Sequence, residues 1–484
     1  MNTGNYLILA ILTTLFLATC VSGQGALELE WATNITDETG GVLHETVLGG
    51  FNYEDINGDG TVDILIPRRK NEDRIVCLSG RTGEIQWIYP PMDVDGLPGD
   101  PMCVPAIDDL DGDGVLEAVL IGRSAWVHCI DGNGNLKWAF TPEDGSDNSV
   151  TILDVDDDGK KEIFFATGGD GWVYCLEHDG TERWKFRMVG GTNSGTTPWD
   201  IDQDGDVEII VPCQKGSVIY CLTEGGVEKW RFYTADTPGQ TTPAIADIDM
   251  DGEYEILVLV PDELKLYCLS FYGTEKWQFQ LDPTAALTGF VSEDVALADI
   301  DRDGFIEAFV SCVRLEGANP TPVTYCLNYD GSLKWTSEAI GYTHLIGDFT
   351  GDGNLNYVGG RHFWMVFVFD ANGQVEYAWD HMQYDPNIPI DPSLGAPLWG
   401  PGDPKQIIGD LDGDGKVEWF LMGDTAGGHA FYSFTANGAY NEENMVWTRG
   451  YRNAANVAVI PMVEGILLPI AAVGIIAAIR RMGP

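Results

Sequence analysis

DIDMDGEYE, residues 247–255, puts a carboxylate at its first, third, fifth and ninth positions and a Gly at its sixth. The same nine-residue pattern reads DINGDGTVD from Asp55, DLDGDGVLE from Asp109, DVDDDGKKE from Asp154, DIDQDGDVE from Asp200, DIDRDGFIE from Asp299, DFTGDGNLN from Asp348 and DLDGDGKVE from Asp410. The eight starts are separated by 54, 45, 46, 47, 52, 49 and 62 residues. That period is too long for an array of hairpins and suits one four-stranded propeller blade per repeat.

The flanks of each loop supply the strands. Before it comes a short segment such as TTPAIAD; after it come an apolar run such as EILVLV, a second run such as LYCLSFYG, and a Trp-bearing segment such as GTEKWQF. These runs last four to six residues between Gly, Asp and Asn turns, with no helical periodicity among them. The expected fold is therefore all-β, a single propeller of eight four-stranded blades over residues 24–452, with seven as the other possible count. Trp-bearing strands occur at Trp31, Trp87, Trp138, Trp184, Trp230, Trp277, Trp335 and Trp447, with Tyr377 or Trp379 in the seventh repeat. One is spare. Trp31 precedes the first loop, so its strand either completes the last blade and latches the ring or adds an outer strand to a blade.

Calcium takes six to eight oxygens, which carboxylates at positions 1, 3, 5 and 9 and a carbonyl at 7 can supply, with Gly at 6 for the tight turn. The expected ligand sets are Asp55, Asn57, Asp59 and Asp63; Asp109, Asp111, Asp113 and Glu117; Asp154, Asp156, Asp158 and Glu162; and Asp200, Asp202, Asp204 and Glu208. They continue with Asp247, Asp249, Asp251 and Glu255; Asp299, Asp301, Asp303 and Glu307; and Asp410, Asp412, Asp414 and Glu418. The seventh copy keeps only Asp348 and Asp352 charged and is expected to be weak or empty, so about seven ions are expected. These positions hold 29 of the 75 acidic residues, against 27 basic ones. A net charge of −48 makes nucleic acid and anionic surfaces poor partners and cations good ones.

Both ends read as export and anchoring segments. Tyr6 to Ala18 is apolar, and Val21 and Gly23 fit a cleavage before Gln24, giving a signal peptide over 1–23. Residues 457–481 form an apolar stretch closed by Arg480 and Arg481, long enough to cross a bilayer and leave the propeller outside the cell. From Pro461 to the Arg pair this end resembles a PEF-CTERM-type sorting signal.

The loops resemble the FG-GAP or VCBS calcium repeats of integrin α-subunit propellers, and segments such as VYCLEHDGTERWKF resemble the blades of pyrroloquinoline-quinone dehydrogenases. The resemblance implies fold and metal sites. Function does not follow from it. Cys77, Cys129, Cys175, Cys221, Cys268 and Cys326 recur at one place in successive blades and read as small buried hydrophobes, while Cys312 and Cys326 flank one hairpin turn and are the single candidate disulfide.

No nucleophile, zinc-protease or phosphate-loop motif stands in the chain. The leading expectation is an extracellular calcium-binding propeller acting in adhesion or ligand binding, with a glycan or protein ligand. The alternatives are a polysaccharide lyase-like enzyme and a quinoprotein dehydrogenase. The long stretch after the seventh blade carries Trp379, Tyr384 and Trp399, the expected ligand contacts, and with the insertions at Pro90 to Pro101 and Arg314 to Pro322 it is expected on the face away from the acidic loops.

Overall fold

Eight antiparallel sheets of four strands each account for nearly all the regular structure. The computed structural model describes residues 28–34 and most of 51–439; residues 1–27, 35–50, 69–73, 91–100, 283–294, 381–405 and 440–484, with a few shorter pieces, lie outside the description. The expected signal peptide, the carboxy-terminal segment, Trp447, Tyr384 and Trp399 fall in those stretches. Among the described residues no helix is long and apolar enough to cross a membrane.

The fifth blade shows why these sequences make these strands. Its strands are Ala244–Ala246, Glu255–Val260, Lys265–Ser270 and Glu275–Gln280, paired in that order. All six residues of Glu255–Val260 are buried, whereas Glu275–Gln280 alternates exposed with half-buried positions. Inner strands lie between two neighbouring sheets and are covered on both faces; the outermost strand keeps one face in water, which restores a two-residue alternation. The short first strands of successive blades lie against one another around the ring axis. The core runs between blades rather than within one: a single cluster spans Ala244, Leu257, Phe309, Tyr325 and Phe369, from three different sheets.

The ring closes through its amino terminus. Glu28–Asn34 is the outermost strand of the eighth sheet and pairs antiparallel with Gly428–Ala439, so the spare Trp strand completes the last blade. Its register repeats that of the other blades. Trp31 stands opposite Ser433 and Leu29 opposite Phe434, with the bulge at Glu30, just as Trp184 stands opposite Cys175 and Glu182 opposite Leu176, with the bulge at Arg183. In the seventh blade the equivalent of Trp184 is Tyr377, opposite Val368, and not Trp379.

The recurrent cysteines sit where expected: Cys77, Cys129, Cys175, Cys221, Cys268 and Cys326 each face the Trp of the neighbouring outer strand, and all are buried and free. The candidate bridge does not form. Cys312 is opposite Val323 and Cys326 opposite Phe309, three residues apart along the ladder. That is about 10 Å and on opposite faces of the sheet, beyond the roughly 7 Å that a disulfide spans. The insertion around Arg314 to Pro322 is also not a loose loop. It lengthens the second and third strands of blade six into Glu307–Glu316 and Asn319–Leu327, paired out to Glu316 and Asn319.

Six consecutive blade interfaces share one contact. The Trp of one outer strand donates its indole N–H to a carbonyl in the next blade's outer hairpin, at 2.6–3.0 Å, from Trp87 to Gly132 through Trp335 to Ala371. The hairpin Gly beside that carbonyl lies under the ring: a Cβ at Gly273 would sit 2.5 Å from Trp230, and Gly273 has φ +74°. A side chain there meets both steric exclusion and backbone strain. Gly273→Ala should therefore cost about 2 kcal/mol or more, whereas Gly252→Ala, at φ +92° with nothing within 4 Å of its Cβ, meets only the backbone penalty of about 1 kcal/mol. Denaturant unfolding of both variants in chelator checks this; equal losses would show that the ring contact is not what selects Gly.

Candidate metal centre

The acidic loops join the first strand of each blade to the second, so all eight emerge on one face of the ring, together with the hairpins joining third to fourth strands. Position 2 of each loop is apolar and buried (Ile56, Leu110, Val155, Ile201, Ile248, Ile300, Phe349 and Leu411), which pins the loop into the core before the acids turn outward.

The turn is the same in every copy. The amide of the sixth-position Gly donates to the first-position Asp at 2.8–3.1 Å. The seventh-position amide donates to the fifth-position Asp at 2.8–3.0 Å. Each sixth-position Gly has φ between +83° and +99°. The fourth position is left-handed too. Gly fills it at 58, 112 and 413, but Asp157, Gln203, Met250 and Arg302 hold φ of 58° to 60° without that freedom. Strain of about 1 kcal/mol at each is accepted to keep the carboxylates turned to one point.

Which acids converge differs between copies. Asp410, Asp412, Asp414 and Glu418 place oxygens within 4.8 Å of one another; so do Asp109, Asp111 and Asp113, Asp154, Asp156 and Glu162, Asp200, Asp202 and Glu208, and Asp247, Asp249 and Asp251. In the four three-membered sets either the ninth-position Glu (Glu117, Glu255) or the fifth-position Asp (Asp158, Asp204) falls outside. In the first loop the amide of Asp59 donates to both Asp55 and Asn57, which gathers those side chains. The sixth loop, Asp299 to Glu307, has the same backbone bonds as the rest. In the seventh, Asp348 and Asp352 keep theirs.

The ninth position serves two masters. Glu117, Glu162, Glu208, Glu255, Glu307 and Glu418 each accept the second-position amide on Oε2 at 2.8–3.3 Å, and Asn356 does so with Oδ1 at 3.1 Å. In five blades the other oxygen faces a cation from the outermost strand. Lys276 Nζ lies 2.7 Å from Glu255 and 2.9 Å from Asp249; Lys229 lies 2.9 Å from Glu208 and 2.6 Å from Asp202. Lys137 lies 2.6 Å from Glu117 and 3.6 Å from Asp111; Arg183 lies 2.9 Å from Asp156 and 3.4 Å from Glu162. Lys334 lies 2.9 Å from Glu307 and bonds Asp301 as well. Sequence reading missed these five residues. Their signal is the recurrent basic residue directly before Trp, in LKW, ERW and EKW.

The donor set fits a hard dication. Asp202 Oδ1 and Asp249 Oδ1 are buried carboxylate oxygens without a hydrogen-bond partner, which a bound cation would satisfy. Burial pushes the Glu162, Glu208, Glu255 and Glu307 carboxyls up to about 7, with the neighbouring third-position Asp adding to the rise. Asp63 reaches about 7 through burial and then through Asp59 and Asp55. Burial alone would lower the Lys276 ammonium, but its bonds to Glu255 and Asp249 lift it above the usual lysine range.

Comparison with known proteins agrees with this geometry. The FG-GAP-like repeat family model matches residues 154–211, the third loop through the second strand of the fourth blade. λ-Carrageenase of Pseudoalteromonas carrageenovora is 44% identical over 50 residues, 10% of this chain and 5% of that enzyme, so the chain spans a small fraction of the curated relative it matches. Among solved structures, the Vibrio cholerae biofilm matrix protein Bap1 superposes with a TM-score of 0.61 at 15% identity, covering 89% of this chain and 96% of Bap1. A quinohemoprotein alcohol dehydrogenase from Pseudomonas putida gives 0.53 at 10% identity, over 86% of this chain and 77% of that one. BamB from Moraxella catarrhalis gives 0.51 at 12% identity, over 84% and 99%. At such identities the likeness is one of fold. The chain has the β-propeller fold of these structures, and its residues 154–211 resemble an FG-GAP-like repeat.

The raised carboxyls set a pH dependence for the metal-free protein. A carboxyl whose folded pKa lies near 7 rather than at its ordinary 4.5 binds more protons folded than unfolded between those values. Its contribution is present below about pH 4.5 and lost as pH rises through 7. In excess chelator the melting temperature should therefore fall from pH 5 to pH 8, and a melting temperature that rises over that window would refute the assignment.

Proposed function

We propose that the protein is an extracellular calcium-binding propeller that acts at the cell surface as an adhesion or ligand-binding protein. The observation that carries this reading is the ring of acidic loops on one face, each pinned by a buried apolar residue, with three or four carboxylates within 4.8 Å of one another in the loops that start at Asp109, Asp154, Asp200, Asp247 and Asp410. First-, third- and fifth-position acids would hold the ion together with the seventh-position carbonyl. When bound, the ion supplies charge neutralisation and rigid loop geometry rather than chemistry on a substrate. The seventh loop, with two acids, is the weak one.

The opposite face is left for the ligand. There the last strand of the seventh blade ends at Asp380, directly after Trp379, and the first strand of the eighth begins at Gln406; Tyr384 and Trp399 lie between them in sequence. Aromatic rings stacked on a sugar face, or anchoring a partner protein, supply affinity at low conformational cost. Residues 1–23 would direct export and residues 457–481 would hold the propeller to the membrane. The carrageenase likeness covers about one repeat's length and supports a shared repeat more than a shared activity.

Calcium should raise the melting temperature, because it binds the folded loops and not the unfolded chain. Asp251→Ala, which removes a carboxylate from a complete set, should lose more of that rise than Asp352→Ala, which acts on a set already short of two. Differential scanning fluorimetry in millimolar calcium and in chelator reads both; superimposable curves for the unmodified protein would end the calcium reading. For the ligand face, deletion of residues 385–396 should abolish binding on a glycan array or to cells while the calcium-dependent rise persists. Undiminished binding would move the ligand site elsewhere.

A further inference from the structure

The residue directly before the Trp on the outermost strand reaches back to two loop positions at once, the third and the ninth. In blades two to six it is a cation and both positions are acids: Lys137 joins Asp111 to Glu117, Arg183 joins Asp156 to Glu162, and Lys229 joins Asp202 to Glu208. Lys276 joins Asp249 to Glu255, and Lys334 joins Asp301 to Glu307. Blade one makes the same bridge from other chemistry. Its third position is Asn57 and its ninth Asp63, and Gln86 answers both: its amide nitrogen donates to Asp63 and its carbonyl oxygen accepts from Asn57 Nδ2 at 3.0 Å. In blade seven the ninth position is Asn356 and the strand residue is Glu376, which accepts from Asn356 Nδ2 at 2.9 Å. The strand residue therefore follows the loop chemistry from blade to blade.

Blade four shows what the bridge leaves open. Asp202 Oδ2 lies 2.6 Å from Lys229 Nζ, while Asp202 Oδ1 is buried without a hydrogen-bond partner. Asp200 is divided the same way: its Oδ2 accepts the Gly205 amide at 3.1 Å, and its Oδ1 is buried and unpartnered. In blade five Asp249 Oδ2 lies 2.9 Å from Lys276 and Oδ1 has no partner. One oxygen of each acid is thus committed to the protein and the other is left for an ion. Of the three acids that converge in blade four, Asp200, Asp202 and Glu208, Lys229 holds two. Glu208 is 1% exposed, so the ammonium also compensates a charge that water does not reach.

We propose that in blades two to six this outer-strand cation is a built-in substitute for the ion: by tying the third loop position to the ninth it holds the loop and the outermost strand together in the metal-free protein, and calcium enters a loop that is already formed. Without the cation, a buried Glu and the acids beside it face one another uncompensated, and loop and strand separate unless a dication neutralises them. Lys229 is in this sense a positioning residue. It sets the geometry of Asp202 and Glu208 and leaves Asp202 Oδ1 to the ion. The inference rests on the calcium reading above and adds which side chain does the ion's holding work when the ion is absent.

Hydrogen exchange of the full chain, followed by mass spectrometry in calcium and in chelator, tests this. In the unmodified chain the amides of Glu228–Tyr233, the outer strand that carries Lys229, should be protected in both conditions. In Lys229→Met they should exchange at least about tenfold faster in chelator, and calcium should restore their protection. Lys229→Arg, which supplies the cation that blade three uses, should match the unmodified chain. Protection in chelator that Lys229→Met leaves unchanged would overturn the proposal. So would a loss that calcium does not reverse, because Lys229 would then be a packing residue rather than a substitute for the ion. In either case a melting temperature of the unmodified chain that calcium still raises leaves the calcium reading standing, whereas one indifferent to calcium removes both. If Lys229→Met also loses protection at Glu275–Gln280 in blade five, it is misfolded and Lys229→Gln decides. A loss at 228–233 in chelator that calcium reverses supports the proposal, and any other result overturns it.

Discussion

An indole ring lying on a glycine of the next blade is the contact on which this ring depends. A propeller blade is a sheet that buries both faces, so its stability is borrowed from its neighbours, and the angle between neighbours decides whether the ring closes. The Trp fixes that angle twice over, by the flat contact with the hairpin Gly and by the indole N–H on the adjacent carbonyl. Neither element can move without the other. Because the hairpin that receives the Trp stands on the same face as the acidic loops, the dock that sets blade angle also sets how the loops are spaced around the face.

Loop is joined to loop as well as blade to blade. The amide of Lys161, in the third loop, donates to the carbonyl of Leu110 in the second, and Ile306 in the sixth donates to Ile248 in the fifth. Gln203 reaches the carbonyl of Gly252 across the fourth and fifth blades. A change of geometry in one loop, such as that brought by an ion, is thereby felt by its neighbours through backbone bonds rather than through long-range charge, which salt would screen. The acids are tolerated at this density because five of the loops carry their own counter-charge on the adjacent outer strand.

How far the sequence could be read follows from the range of each signal. The loop pattern, the strand alternation and the Trp recurrence are local and repeated, so the blades and the face of the loops were legible, while the place of the Trp31 strand stayed open between two readings until its pairing with Gly428–Ala439 settled it. What escaped depends on register. Lys229 and Lys276 precede Trp230 and Trp277, and nothing in the sequence says that a bulge turns them back onto Glu208 and Glu255. Cys312 and Cys326 flank one turn, yet the pairing of Phe309 with Cys326 sets them three rungs apart. Tyr377 rather than Trp379 takes the seventh register position for the same reason, since a step of two along the strand is fixed by the bulge after Val375. The strained fourth loop positions at Gln203 and Met250 were equally hidden, because the usual sign of a left-handed residue is Gly and here the loop overrides it.

The distribution of charge separates two kinds of stability in one ring. In blades two to six the outer strand is tied to its loop by a side chain of the same blade, so part of each blade's cohesion is intrinsic. The closing blade is assembled from the two ends of the described chain, and a covalent hairpin joins the third strand to the fourth in every blade but this one. It is therefore the blade with the largest entropy of closure, and its loop draws its cation from within, Lys416 lying 2.6 Å from Asp414, rather than from an outer strand joined to it by a hairpin. A seam that is entropically weakest is where any added contact has the most leverage on the whole ring, because opening it exposes the edges that closure had removed.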